Sequence, residues 1–132
     1  NIGKTKIPDA LYAIMRSAKV VKIAIPDEVR MMKLVKFYSQ FDKNELKENT
    51  LKITKRLGHL RLQQSLDYLE HDDFENWVRM MLEYYDKAYL FGLSQRNQEL
   101  LQEVDLSGED MEDDCKKLLN HVSMMAPKRM QL

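Results

Sequence analysis

Residues Val20 to Ile25 form a β-branched, largely apolar run that stops at Pro26, and the rest of the chain has to accommodate it. A run this short, ended by proline, predicts a strand covered on both faces. A single strand cannot satisfy its own backbone N–H and C=O groups, and no second convincing strand stands out. Either an upstream sheet has been removed, or another chain supplies the partner. In the second case residues 19–25 invite homodimerisation or strand exchange.

Around the strand the pattern is helical. Four Gly and three Pro in 132 residues leave room for long helices. Ile7-Pro8-Asp9 starts a short helix whose buried stripe is Leu11, Ile14 and Met15, running to Ala18. Asp27 caps a second, with Met31, Met32, Leu34, Val35 and Tyr38 at helical spacing up to Phe41. Asn44 caps a third, which carries Leu46, Thr50, Ile53 and Leu57 and stops at Gly58. A fourth spans Leu60 to Leu69. Asp73 caps a strong amphipathic helix with the stripe Phe74, Trp77, Val78, Met81, Leu82 and Tyr85. Gln95 to Val104 reads as helix, Ser107-Gly108 as a turn, and Asp110 to Met124 as a last acidic helix. Pro127-Lys128-Arg129 opens a tail expected to be disordered.

The formal net charge is zero, yet it is divided. Residues 1–66 carry 14 Lys and Arg against 6 Asp and Glu, a balance of +8, and residues 67–132 carry 7 against 15, a balance of −8. That asymmetry fits a polyanion-binding face, and it equally fits two halves that attract each other in the fold. No apolar run approaches the ~20 residues of a membrane span, so no membrane partner is expected. Opening at Asn1, the chain reads as processed or cut from a longer protein. Cys115 is the only cysteine. It cannot form an internal disulfide and fits a reducing cytoplasm. Asp113 and Asp114 beside it oppose thiolate formation, so it reads as incidental rather than nucleophilic.

The chain offers little catalytic chemistry. Gly3-Lys4-Thr5 matches the end of a phosphate-binding loop, but Pro8 sits badly with the helix such a loop opens, and coincidence is the better reading. His59, His71 and His121 lack metal-ligand spacing. Glu109 to Asp114 lacks the alternating ligands and central glycine of a calcium loop and reads as a solvated helix start. The nine Met residues read first as adaptable core filling.

The one constellation that spacing favours is basic. Lys52, Lys55, Arg56 and His59 recur at three- and four-residue intervals opposite Leu46, Ile53 and Leu57, with Arg61 two residues beyond. Cations at a helix carboxyl end complement its dipole, and that alone would explain some of them. Five such groups in ten residues exceed what a dipole needs, and phosphate binding becomes the competing reading.

Three segments, in this order, resemble the tRNA 2-selenouridine synthase family. They are Asn1-Ile2-Gly3 with Ile7-Pro8, Leu11-Tyr12 and Met15-Arg16; Lys55-Arg56-Leu57-Gly58 with Leu60-Arg61 and Gln63-Gln64; and Trp77-Val78, Met81-Leu82, Tyr84-Tyr85-Asp86-Lys87 and Tyr89. The resemblance covers roughly residues 1–96. His59 stands where the family pattern has a second glycine, and Cys115 lies beyond the matching segments.

The resemblance implies a larger enzyme that replaces sulfur by selenium at the wobble uridine of certain tRNAs. It implies upstream rhodanese-like and P-loop domains as partners, selenophosphate as selenium donor, and geranyl diphosphate for an S-geranylated intermediate. None of these cofactors is expected to bind this part of the protein. The implied fold is mainly α: a helical bundle with one short strand that belongs to the sheet of a truncated P-loop α/β domain. Residues 1–41 would end that domain, 42–96 would form a helical extension, and 97–132 an acidic helical tail. The expected role is tRNA holding through Lys52, Lys55, Arg56, His59 and Arg61. A purely structural helical module is the alternative, and a DNA-binding helix-turn-helix over 44–69 a weaker one.

Overall fold

Proline and aspartate set the helix starts. In the computed structural model, which describes residues 5–126, α1 (Asp9–Ser17) and α2 (Asp27–Tyr38) each begin directly after a proline, Pro8 and Pro26. Proline's fixed φ suits a helix entrance, where no amide donor is needed. Asp27 is therefore the first residue of α2, next to the cap expected of it, and α2 ends at Tyr38 rather than Phe41. Strand β1 (Val20–Ala24) lies between the two helices, where the β-branched run predicts it.

The remaining helices are α3 (Lys43–Lys52), α4 (Thr54–Leu57), α5 (His59–Glu70), α6 (Phe74–Ser94) and α7 (Met111–Met125). The architecture is mainly α, as the pattern implies. Gly3 and Lys4 of the phosphate-loop-like triplet, and the tail from Pro127, lie outside the described residues.

Gln95 to Val104 is not the helix its leucines suggest. It forms a 3₁₀ turn at Gln98–Leu100 and then strand β2 (Leu101–Asp105). β2 pairs in parallel with β1, Val20 opposite Leu101 through Ala24 opposite Asp105. The Leu106 amide donates to the Ala24 carbonyl at 2.8 Å and extends the ladder by one residue. The partner that β1 needs thus comes from the same chain, 81 residues on. Leu100, Leu101 and Val104 satisfy a helical spacing, but the backbone groups of β1 gain more from a strand there. The expected two-sided cover of β1 is also corrected. With two strands in this sheet, its residues are half-buried and Ile23 is 46% exposed.

The chain divides into two compact units: residues 1–25 with 91–132, and residues 26–90. The first holds α1, the sheet and α7, and the stripe Leu11, Ile14 and Met15 of α1 is exposed rather than buried as expected. Asp110 caps α7 by accepting from the Glu112 and Asp113 amides. The Asp114 carboxylate takes the amides of Ser107 and Gly108 at 2.8 and 2.7 Å, and so fixes the turn between β2 and α7. Lys22 of β1 pairs with Glu103 of β2.

The second unit has its core in Met31, Leu46, Leu69, Trp77 and Val78, with Leu34, Val35, Tyr38, Phe74, Met81 and Leu82 packed around them. Trp77 meets Tyr38 edge-on at 5.3 Å, and its indole Nε1 donates to the Thr50 hydroxyl at 3.2 Å. That hydroxyl donates in turn to the Leu46 carbonyl at 2.8 Å, so both buried polar groups are satisfied. Asp73 caps α6 as expected, accepting from the Asn76 amide and side chain.

Those bonds to Asn76 hold the Asp73 carboxyl below its ordinary value of 3.8. A depressed folded pKa stabilises above the unfolded value, and the contribution disappears as pH falls through the folded one. Asp73→Asn keeps a capping oxygen and removes the titration. Urea unfolding followed across acid pH is expected to show a shallower loss of stability in Asp73→Asn than in the parent protein. Parallel acid limbs would refute the assignment.

Candidate functional site

The five basic candidates do not share one helix face. The expected helix from Asn44 to Leu57 breaks at Ile53, whose φ of −100° and ψ of 11° separate α3 from the single turn α4. Its cap is Asp42, which accepts from the Asn44 and Glu45 amides; Asn44 is not the cap. Lys52 ends α3, Lys55 and Arg56 sit on α4, and His59 and Arg61 open α5. Three elements, in place of the expected two, carry the cluster.

Gly58 makes the corner between α4 and α5, with φ 86° and ψ 155°. That region is essentially reserved for glycine. A Cβ on Gly58 would meet nothing within 4 Å, so the backbone conformation rather than space demands the residue. Gly58→Ala is expected to destabilise the 26–90 unit by about 1–3 kcal/mol, read as a lower urea midpoint. An unchanged midpoint would mean that the corner relaxes without cost. Positive φ among the described residues falls at Gly58, Gly108 and Asp72. His59 therefore needs no glycine-like backbone, although it stands where the family pattern has one.

Partners sort the cluster further. Arg61 pairs with Glu83 at 3.5 Å, and Lys52 donates to the Asn49 carbonyl oxygen at 2.8 Å. Lys55, Arg56 and His59 are exposed and have no hydrogen-bond or ion-pair partner for their side chains among the described residues. Elsewhere, cations of the basic first half are matched with carboxylates of the acidic second half. Within the 26–90 unit Arg30 pairs with Asp86, Lys43 with Asp72 and Lys47 with Glu70. The charge asymmetry is thus partly consumed inside the fold; Lys55 and Arg56 on the α4 turn stay exposed without such a partner among the described residues, as do Lys33 and Lys36 on α2 and Lys87 on α6.

Beside the cluster runs a groove of about 750 Å³, open to solvent, with Trp77 and Val78 in its floor. Asn49, Lys52 and Ile53 line it from the α3 side, and Tyr85 and Tyr89 from α6. At one end Arg30 clasps Asp86 with two bonds, Nη1 to Oδ2 at 2.9 Å and Nη2 to Oδ1 at 2.6 Å. The hydrogen bond to Asp86 raises the Arg30 pKa further above its already high ordinary value, against the opposing effect of part-burial. Sequence reasoning missed this pair, because 56 residues separate its members and neither stands in a motif with the other. Tyr85 and Tyr89 were visible as an aromatic segment, but their sharing a groove with Lys52 was not.

Among the described residues, no three His, Cys, Asp or Glu side chains are placed to hold a metal, and no helix is long and apolar enough to cross a membrane.

No curated protein and no solved structure matches the chain. One family model does, that of the tRNA 2-selenouridine synthase AAA domain, over residues 1–117. The match runs past residue 96, where the segment-by-segment resemblance stops, and takes in β2 and the first half of α7. Cys115, exposed on α7, consequently lies inside the family region and not beyond it. With 117 of its 132 residues in that match, the chain belongs to the tRNA 2-selenouridine synthase AAA-domain family.

Proposed function

We propose that the 26–90 unit holds tRNA by its phosphates within an enzyme that exchanges sulfur for selenium at a tRNA uridine. Lys55 and Arg56 form the centre of the binding surface, Lys52 and His59 flank it, and Arg61 lies at its edge, shared with Glu83. The carrying observation is that Lys55 and Arg56 are exposed on one turn with no carboxylate partner among the described residues. Cations already paired must give up that pairing to bind phosphate, and these need not. α4 is a single turn, so its carboxyl end has too small a dipole to call for two cations. Family membership supports tRNA as the polyanion, since the matched family is named for a tRNA 2-selenouridine synthase. Spread cations without base-reading side chains suit the positioning of an RNA by its backbone.

The test is binding of the chain to bulk unmodified tRNA across a salt series. Affinity should fall steeply and linearly on logarithmic axes as counterions compete. No binding at low salt by a folded chain would remove the role and leave a structural module. Tighter binding to duplex DNA than to tRNA would favour the helix-turn-helix reading instead, with α5 as the inserted helix.

A further inference from the structure

The groove beside the cluster carries a second, more specific reading. Tyr85 and Tyr89 lie four residues apart on α6, so their rings rise from the same helix face one turn apart. Both are open to solvent, Tyr85 48% and Tyr89 71% exposed. Asn49 and Lys52 line the same groove from α3. Lys52 occupies the Asn49 carbonyl oxygen, which leaves the Asn49 amide NH₂ as a donor at the rim. The α6 side of the lining thus offers aromatic rings and the α3 side polar and cationic groups, and Lys55 and Arg56 follow Lys52 in the chain by three and four residues.

We propose that this groove takes an unpaired base of single-stranded RNA, stacked on Tyr89 and Tyr85, while the adjoining phosphates lie on Lys52 and Lys55. The inference rests on reading the α4 turn as an RNA-phosphate site. A duplex keeps its bases stacked inside and presents only phosphates and groove edges, so it could use the cations but not the tyrosines. An unpaired strand can use both, which is the arrangement of charged track and aromatic platform that single-strand binding requires. The Asn49 NH₂ then donates to a base carbonyl or ring nitrogen. A ring at this rim adds to affinity without adding ionic interactions, so its contribution does not depend on salt.

The experiment compares the full chain's binding to a mixed-sequence RNA strand and to a paired duplex carrying the same number of phosphates. The parent chain should prefer the single strand. Tyr89→Ala should weaken single-strand binding about tenfold, leave duplex binding unaltered and leave the salt slope unaltered. Tyr89→Phe should retain the preference, because the ring and not the hydroxyl is needed. Tyr89 is largely exposed, so neither change should disturb folding, and circular dichroism checks this. A 2-aminopurine in the strand should be quenched by the parent and by Tyr89→Phe, and less by Tyr89→Ala. If the chain binds both RNAs and Tyr89→Ala leaves the single-strand preference unchanged, the base site is overturned while the phosphate platform stands. A hydrophobic dye held in the groove and not displaced by RNA would then give the groove to an apolar ligand. Failure to bind either RNA at low salt overturns the platform and this inference together.

Discussion

Trp77→Ala is expected to remove most of the stability of the 26–90 unit. The side chain is 5% exposed and sits in the centre of the unit's core, beside Leu69 at 0% and Val78 at 1%. Truncating a buried Trp costs about 3–5 kcal/mol, through forfeited transfer energy and the cavity left behind. A folded unit of this size has about 3–10 kcal/mol in total, at the usual stability per residue. The change also strips Tyr38 of its edge-on neighbour and leaves the Thr50 hydroxyl without its indole donor, although the bond from Thr50 to the Leu46 carbonyl survives. Trp77 is the only Trp in the chain, so its own fluorescence cannot report on the mutant. Urea unfolding followed by circular dichroism should show a large drop in midpoint or no folded baseline for these helices. Trp77→Phe, which keeps a ring against Tyr38 and loses only the N–H and some volume, should fall between. A midpoint for Trp77→Ala equal to the parent's would mean that the core lies elsewhere.

The same residue illustrates what the sequence makes legible. The stripe Phe74, Trp77, Val78, Met81, Leu82 and Tyr85 repeats at helical spacing behind a capping aspartate, and α6 forms with Asp73 at its cap and the stripe packed inward as far as Leu82, while Tyr85 is 48% exposed. Both signals are local, fixed by residues within a few turns of each other. β1 was legible for the same reason, since branched side chains and a proline mark it within a single short segment. β2 was not. Its pairing with β1 spans 81 residues, and its own leucines fit a helix equally well. Only the unmet hydrogen bonds of β1 pointed to a partner, and they did not say where in the chain it lay.

The site divides along the same line. That Lys55 and Arg56 face solvent follows from the apolar residues around them, Ile53 and Leu57, which turn away from it. That they occupy a separate turn does not follow from spacing. It depends on Ile53 leaving the helical region and on Gly58 adopting a positive φ. Thr50, Ile53 and Thr54 are β-branched and weaken a continuous helix there, a hint that periodicity alone overrode. The Arg30–Asp86 clasp and the neighbourhood of Lys52, Tyr85 and Tyr89 are tertiary facts with no local signature.

The largest functional effect should come from reversing both charges on the α4 turn. In Lys55→Glu with Arg56→Glu, two phosphate-binding cations disappear and two repulsive charges replace them. Removing one phosphate-binding cation lowers the magnitude of the logarithmic salt slope by about 1, so the slope should fall by about 2. At low salt, where ionic attraction contributes most, tRNA affinity should drop about 100-fold, and the deficit should narrow as salt rises. Both side chains are exposed without partners among the described residues, so the fold should be unaffected. Arg61→Glu makes the informative control. Arg61 already lies 3.5 Å from Glu83, and its reversal sets two carboxylates against each other while removing a cation only partly available to RNA. Its effect on tRNA binding should be several-fold smaller than that of the double reversal. Equal effects at both places would indicate a diffuse field of positive charge. An effect confined to Lys55 and Arg56 would locate the tRNA-binding surface on the α4 turn, because those two cations bind phosphate without first breaking an ion pair.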